Sequence, residues 1–358
     1  MAKGRLSVGL DIGSSSVKLI HLKEAKRGYI LEAFGVAPLP PEAIVDGALM
    51  NSTAIVDAVR ELVGQQKLKA KEVAIGVSGH SVIIKKIVLP RMSQEELEES
   101  IQWEAEQYIP FDVKDVNIDV QILNPEADAA GQMDVLLVAA KKDMINDYTQ
   151  VIGEAGLIPV IVDVDAFAVQ NAFEANYELS TTETVVLVNA GASVVNINVL
   201  ANGLTTFTRD ISMGGNQFTE EIQKQLNVSY DEAEKLKIGG DANQDTDSVV
   251  PQEVERVIQA VADQLAGEIQ RSLDFYSATA ADARISRVYM SGGTVKIPAL
   301  FKAIEGRVGV PVELMNPFKN IEIDNRRFDP QFVMDIAPRA AVCVGLGMRR
   351  PFDRAGGR

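Results

Sequence analysis

The chain carries one cysteine, two histidines and one tryptophan in 358 residues. Cys343 alone cannot form an internal disulfide, and such sparse thiol use suits a reducing compartment. His21 and His80 are too few for a His-based zinc centre. Basic charge is also short: 35 Lys and Arg against 50 Asp and Glu give a net charge of −15. Lys85-Lys86 and Lys141-Lys142 are isolated pairs, so charge opposes binding to nucleic acid or to an anionic membrane. No long apolar run occurs. The uncharged stretch 184–208 contains Asn189, Asn196, Asn198 and Asn202 and alternates like paired strands, whereas a spanning helix needs ~20 mostly apolar residues. Lys3 and Arg5 lead straight into a strand pattern, so no signal peptide is expected. Neither G-x-x-x-x-G-K-[ST] nor a strand-borne G-x-G-x-x-G is present, which removes the two commonest nucleotide-binding folds.

What is present is an internal repeat. Val8-Gly9-Leu10-Asp11-Ile12-Gly13-Ser14-Ser15-Ser16-Val17-Lys18-Leu19-Ile20 aligns without a gap, 178 residues later, on the segment from Val186 to Asn198. Each copy reads as apolar strand, small-residue turn, strand, and the turns share Gly13/Gly191 and Ser15/Ser193. Small residues at such a turn let backbone N–H groups cradle an anion such as a phosphate. Ordinary hairpin chemistry would explain one copy. Two copies in register favour a clamp on the phosphate chain of one nucleotide.

Around these turns the pattern predicts a mixed α/β chain of about two domains. Strands are expected at Leu6–Leu10, Val17–Leu22, Tyr29–Val36 and Glu72–Val77, with a helix over Thr53–Gln65. The second copy predicts strands Thr184–Val188, Val194–Leu200 and Leu204–Arg209, the last two joined at Asn202-Gly203. Between them, residues 81–156 read strand–helix–strand–strand–helix, a compact α+β inset. Its first helix has Ser93 as cap, Glu96 completing a capping box, and Leu97, Ile101, Ala105 and Tyr108 on one face. Trp103 falls opposite that stripe. Further on, Ser229–Ile238 reads as a helix, and a long amphipathic helix starts at Pro251 with Val254, Val257, Val261, Leu265, Ile269 and Leu273 on its buried face. Asp241-x-Asn243-x-Asp245-x-Asp247 opens like a calcium loop but lacks its glycine and its bidentate Glu, so a solvated loop is the better reading. A short strand Arg287–Met290 leads into Ser291-Gly292-Gly293-Thr294 and the helix Pro298–Glu305.

The sum of these parts resembles the actin/Hsp70/sugar-kinase superfamily. The turn at Gly13 looks like its first phosphate loop and Val185–Leu200 like its second. Val160–Phe173 looks like its first connecting helix, Tyr289–Ala299 like its adenosine motif, and Asp335–Met348 like its second connecting helix. Asp210–Asn216, Ala233–Lys237 and the inset are similar to the bacterial cell-division (FtsA) branch. Within that branch, Trp103–Phe111 resembles the PilM family of type IV pilus assembly. The resemblance implies an actin-like two-lobed fold with an FtsA-like inserted α+β subdomain. The first lobe would comprise 1–80 and 157–182, the inset 81–156, the second lobe 183–213 and 286–350, a small helical subdomain 214–285, and a tail 351–358. A cell-division filament ATPase and, third, a small-molecule kinase of the same superfamily stay open as alternatives.

Residue roles come from the resemblance. Asp11 matches the carboxylate that holds Mg²⁺ through water, Gly13, Ser14 and Ser15 the phosphate donors, and Lys18 the lysine reaching the β- and γ-phosphates. Asn189, Gly191, Ala192 and Ser193 form the second phosphate loop. Glu234 and Lys237, three apart on one helical face, match the pair at ribose and adenine; a surface ion pair would look the same. Gly214, Gly215, Gly292 and Gly293 match backbone approaches to the nucleotide. The superfamily usually has Asp where this chain has Asn189, which costs the magnesium site a negative charge and a base. ATP with Mg²⁺ is therefore expected to bind, with slow or absent turnover, and Asp163 is the remaining candidate to position a water. Trp103, Tyr108 and Phe111 are candidates for docking a partner in a groove between the inset and the first lobe. The implied partner is the cytoplasmic N-terminal peptide of a PilN-like membrane protein, with other platform and motor components and self-association as further contacts. The implied place is the cytoplasm, peripheral at the inner membrane through that partner, without nucleic acid and without direct membrane insertion.

Overall fold

The computed structural model describes residues 5–124, 131–180, 182–239, 252–280, 284–351 and 353. The calcium-like loop, Pro251 and nearly all of the tail lie outside the described residues.

The repeat is a repeat of structure. In the first sheet Val8–Ile12 pairs antiparallel with Ser16–Glu24, and that strand with Tyr29–Pro38. On its other side Val8–Ile12 pairs parallel with Glu72–Val77, which pairs parallel with Ile158–Val164. The second sheet has the same plan: Leu204–Ile211, Val195–Ala201, Thr184–Ala190, Ile285–Ser291, Val312–Leu314. Register coincides as well. Asp11 faces Lys18 and Gly9 faces Ile20; 178 residues later Asn189 faces Asn196 and Leu187 faces Asn198. Even the turn hydrogen bonds match, Gly13 N–H donating to Ser16 O (3.2 Å) and Gly191 N–H to Val194 O (2.9 Å).

Both inner strands are buried along almost their whole length, as strands covered on both faces must be. One face of each sheet packs against the crossing helices Asp165–Asn176 and Ala341–Gly347, whose core joins Ile20 and Leu22 of the first lobe to Val185, Leu187 and Leu200 of the second. The outer faces are covered separately. Helices Ser52–Gln65 and Lys142–Glu154 cover the first lobe; Gln252–Thr279 and Pro298–Val308 cover the second. In the long helix Val254, Val261, Leu265, Ile269 and Leu273 are buried, as its periodicity predicts.

The inset carries its own three-stranded sheet, Val82–Pro90, Gln132–Lys141 and Val116–Ile122, and its own core. The helix Gln94–Ala105 begins with the expected capping box between Ser93 and Glu96. Leu97, Ile101 and Ala105 are buried, while Trp103 is 76% exposed.

One boundary differs from expectation. Residues assigned to the second lobe return to the first: Ile321–Glu322 pairs parallel with Tyr29–Pro38 and forms the edge of that sheet. Phe318, buried, meets Phe34 edge-on at 5.8 Å between centroids, which seats this return. A two-residue strand is too short to announce itself by alternation.

Candidate functional site

The two registered turns face each other across a cleft of about 880 Å³, a volume suited to a nucleotide-sized ligand. Asp11, Gly13, Ser14, Ser15 and Lys18 line it from the first lobe, and Asn189, Gly191, Ala192 and Ser193 from the second. Gly215, Glu234, Lys237, Gly292 and Gly293 complete the set that the sequence brings together. Gly214 stands just behind, where Gly215 N–H donates to Gly191 O at 3.0 Å and docks the helix Gly215–Leu226 on the second turn.

The turns work differently from expectation in one respect. Gly13 and Gly191 spend their amides closing their own turns. The amides of Ser14, Ser15, Ala192 and Ser193 have no backbone acceptor among the described residues, and these are the donors left for an anion. Gly292 is held at φ +93°, its N–H donating to Pro338 O at 2.6 Å, and a side chain there would collide with Ala190 backbone.

The equivalent positions of the two hairpins carry different chemistry. In the first, Lys18 Nζ pairs with Asp11 Oδ2 at 2.9 Å, both largely buried. In the second, Asn189 Nδ2 donates to Asn196 Oδ1 at 3.1 Å, and Asn189 Oδ1 accepts from Ser291 Oγ at 3.2 Å. Asn196 Nδ2 donates in turn to Asp210 Oδ1 at 2.8 Å, and Asp210 Oδ2 accepts Gly79 N–H of the first lobe at 2.6 Å. Asn189 is thus one link in an amide chain that ties the lobes together across the cleft. Burial pushes the Asp210 carboxyl up, against hydrogen bonds from Asn196 and Gly79 that pull it down.

Glu234 and Lys237 are more than a surface pair. They meet at 2.6 Å, Lys237 Nζ also donates to Thr219 Oγ1 (2.9 Å), and Thr219 Oγ1 donates to Glu234 Oε2 (2.6 Å).

Asp163 is not brought to this cleft. Its side chain is buried elsewhere, 3.1 Å from Arg349, with its pKa raised by burial in spite of that arginine. A carboxylate two residues on, Asp165, does line the cleft, as do Asp11, Asp46 and Glu234. The strand ends at Val164 and the helix begins at Asp165, so strand alternation does not carry Asp163 and Asp165 to the same side. Asp165 rests against Gly76, where an added Cβ would overlap Oδ1, and the Ser78 hydroxyl hydrogen-bonds it. Burial, and secondly Asp11, push its pKa up to about 7. Arg339 is another lining residue that sequence reading passed over; its signal was its place in Ala337-Pro338-Arg339-Ala340-Ala341, read there only as part of a connecting helix.

No metal-ligand cluster of three or more His, Cys, Asp or Glu occurs among the described residues. Asp11 and Asp165 line the cleft as carboxylates of the kind that can face Mg²⁺ carried on phosphates, the usual manner of holding that ion at nucleotide sites.

A second cleft, about 630 Å³, opens between the inset and the first lobe. Asp119–Gln121 and Leu123 of the inset's edge strand and its end form one wall, and Phe167, Gln170 and Asn171 of the first crossing helix another. Gly203–Thr205 and Met348–Arg350 complete the rim. Trp103, Tyr108 and Phe111 do not line it. Tyr108 and Phe111 turn into the inset's own core, with Lys141 Nζ 4.5 Å from the Phe111 ring centre, and Trp103 stands in solvent.

No helix among the described residues is long and apolar enough to cross a membrane. The chain is 24% identical over 263 residues to cell division protein FtsA of Bacillus subtilis, a match covering 66% of this chain and 58% of that protein. FtsA of Enterococcus hirae is likewise 24% identical, over 88% of this chain and 79% of the relative. Among solved structures, a PilM-PilN type IV pilus biogenesis complex superposes with a TM-score of 0.87 at 27% identity, over 98% of this chain and 100% of that one. Ethanolamine utilization protein EutJ from Carboxydothermus hydrogenoformans follows the same fold at 15% identity and a TM-score of 0.55, over 97% and 90%. The fold is actin-like. The family model for type IV pilus assembly protein PilM matches residues 9–351, nearly the whole chain, and the protein therefore belongs to the PilM family.

Proposed function

We propose that this protein is an ATP-binding scaffold of the type IV pilus machinery that uses its nucleotide structurally. The observation that supports the nucleotide is the pair of hairpin turns, identical in register and turn hydrogen bonding, facing each other across one cleft. When bound with Mg²⁺, the triphosphate supplies a charge that both turns can grip at once. Ser14, Ser15, Ala192 and Ser193 offer amides to it, Lys18 a cation, and Asp11 and Asp165 the carboxylates facing its metal. Phosphoryl transfer depends on positioning and charge stabilisation. With an amide at Asn189 the cleft lacks one expected group, and turnover is slow or absent.

Purified protein is expected to bind Mg-ATP and to turn it over well below one per second. Asp11→Ala should weaken Mg-dependent binding by more than about tenfold, since charge-assisted contacts are worth ~1.5–3 kcal/mol. Isothermal titration with and without Mg²⁺ measures this. Absence of Mg-ATP binding by the unaltered chain refutes the reading.

The second cleft is the proposed seat of the partner. A PilN-type membrane protein would lay its cytoplasmic N-terminal peptide there, against the inset's edge strand Val116–Ile122, and so hold this protein at the inner membrane between motor and platform. Leu123→Arg, at the end of that wall, is expected to weaken peptide binding at least tenfold, while Trp103→Ala leaves it within twofold. Fluorescence anisotropy with the labelled peptide decides, and the reverse pattern would move the docking site to the Trp103 helix.

A further inference from the structure

Four Lys or Arg side chains line the first cleft, and two of them are already neutralised. Lys18 is paired with Asp11 and Lys237 with Glu234. Lys296 is exposed at the rim. Arg339 is different: it is partly buried, and among the described residues no carboxylate pairs with it. A cation withdrawn from water without a counterion is costly, so an unpaired one in a binding cleft points to an anionic ligand.

Resting on the nucleotide reading above, we propose that Arg339 is the cleft's counter-charge for the polyphosphate chain, contacting the phosphate nearest the nucleoside and so serving di- and triphosphate alike. Its position supports this. The aliphatic stem lies over the Gly293 turn, where an added Cβ would stand 3.6 Å from Arg339 Cγ. The guanidinium reaches the other lobe, with Nη2 donating to Ser16 Oγ at 3.3 Å. Ser16 is also the residue whose carbonyl closes the first turn. The side chain thus runs from the nucleoside end of the cleft to the phosphate end. Burial lowers the Arg339 pKa, and the two acids at those ends, Asp11 and then Glu234, act against it.

The backbone that carries Arg339 is fixed from the second lobe, because Gly292 N–H donates to Pro338 O. Its segment then runs into the helix Ala341–Gly347, which packs in the core common to both lobes. A guanidinium so held is pre-positioned, and its planar fork suits phosphate oxygens better than an ammonium would. The 3.3 Å contact to Ser16 is a long one that a phosphate can displace at little cost.

The test is a set of titrations on the full chain, using Mg-ATP, Mg-ADP, adenosine and inorganic tripolyphosphate. Arg339→Gln should lose more than about tenfold in affinity for ATP and for ADP while adenosine binding changes less than twofold. Arg339→Lys should fall between, because it keeps the charge and loses the fork. An equal loss for adenosine and ATP, or no loss for either nucleotide, overturns the proposal. If Arg339→Gln does not fold, Arg339→Lys decides by the same comparison. Should the unaltered chain bind tripolyphosphate through Arg339 and yet bind no nucleotide, the nucleotide reading fails and the role of Arg339 stands. Binding of neither refutes both.

Discussion

Gly345→Ala is expected to destabilise the protein by more than about 3 kcal/mol, a large fraction of the roughly 5–15 kcal/mol that holds a native domain together. The added methyl would overlap the carbonyl oxygen of Ala168, 2.5 Å from its carbonyl carbon and 2.9 Å from its Cα. All three are backbone atoms of the first crossing helix, so no rotamer change relieves the clash. Relief requires the helices Asp165–Asn176 and Ala341–Gly347 to separate. Those two helices hold the core common to both lobes, including Ile20, Phe173, Leu187 and Leu346, and a close-packed interior tolerates such a shift poorly. The control is Gly306→Ala in the helix Pro298–Val308, where an added Cβ meets nothing within 4 Å. That change should stabilise by about 0.5–1 kcal/mol through helix propensity alone. Urea unfolding of both variants makes the comparison, and a Gly345→Ala protein of near-normal stability would mean the crossing is looser than described.

Much of this architecture could be read in the residues because it was written twice. The gapless match of Val8–Ile20 on Val186–Asn198 carries register with it, and register places the two turns at the same height in two sheets of the same order. Local rules served where the signal is local: the Ser93–Glu96 capping box, and the apolar stripe of the long helix. What escaped was which side chains the crossing segments turn into the cleft. Asp165 and Arg339 lie in the two segments that resemble connecting helices, but nothing within a few residues of either marks it as the residue that faces the site. The sequence reading names Asp163 and does not weigh Asp165, two residues further on. Only the change from strand to helix at Asp165, a boundary that sequence places poorly, separates their fates. Trp103 illustrates a further gap. Its place opposite the apolar stripe was legible, but not which side of the inset would face the first lobe.

The second large effect concerns Asp165 and runs with pH. Its carboxyl titrates at about 7 in the folded chain against 3.8 as the ordinary value, because burial and then Asp11 disfavour its charge. Between those two values the native state binds more protons than the unfolded one, so stability falls as pH rises through the window. Below about 4 both states are protonated and above about 7 both are ionised, and the cost is nil in the first case and complete in the second. Asp165→Asn removes the ionisation while keeping an acceptor for the Ser78 hydroxyl. The variant is therefore expected to be more stable than the unaltered chain by about 2–4 kcal/mol at pH 8, after discount for the water that reaches this cleft, and equal to it near pH 4. Denaturant midpoints measured across that range test it. A gain of the same size at both ends would trace to packing instead of charge, and no gain at pH 8 would show that the carboxylate is well solvated. Residual ATP turnover should disappear in the same variant while Mg-ATP still binds, since an amide accepts a hydrogen bond but cannot take a proton from water. On the nucleotide reading, a carboxylate held at such cost beside the two turns has its use in what it does to the ligand, because burying its charge works against the fold.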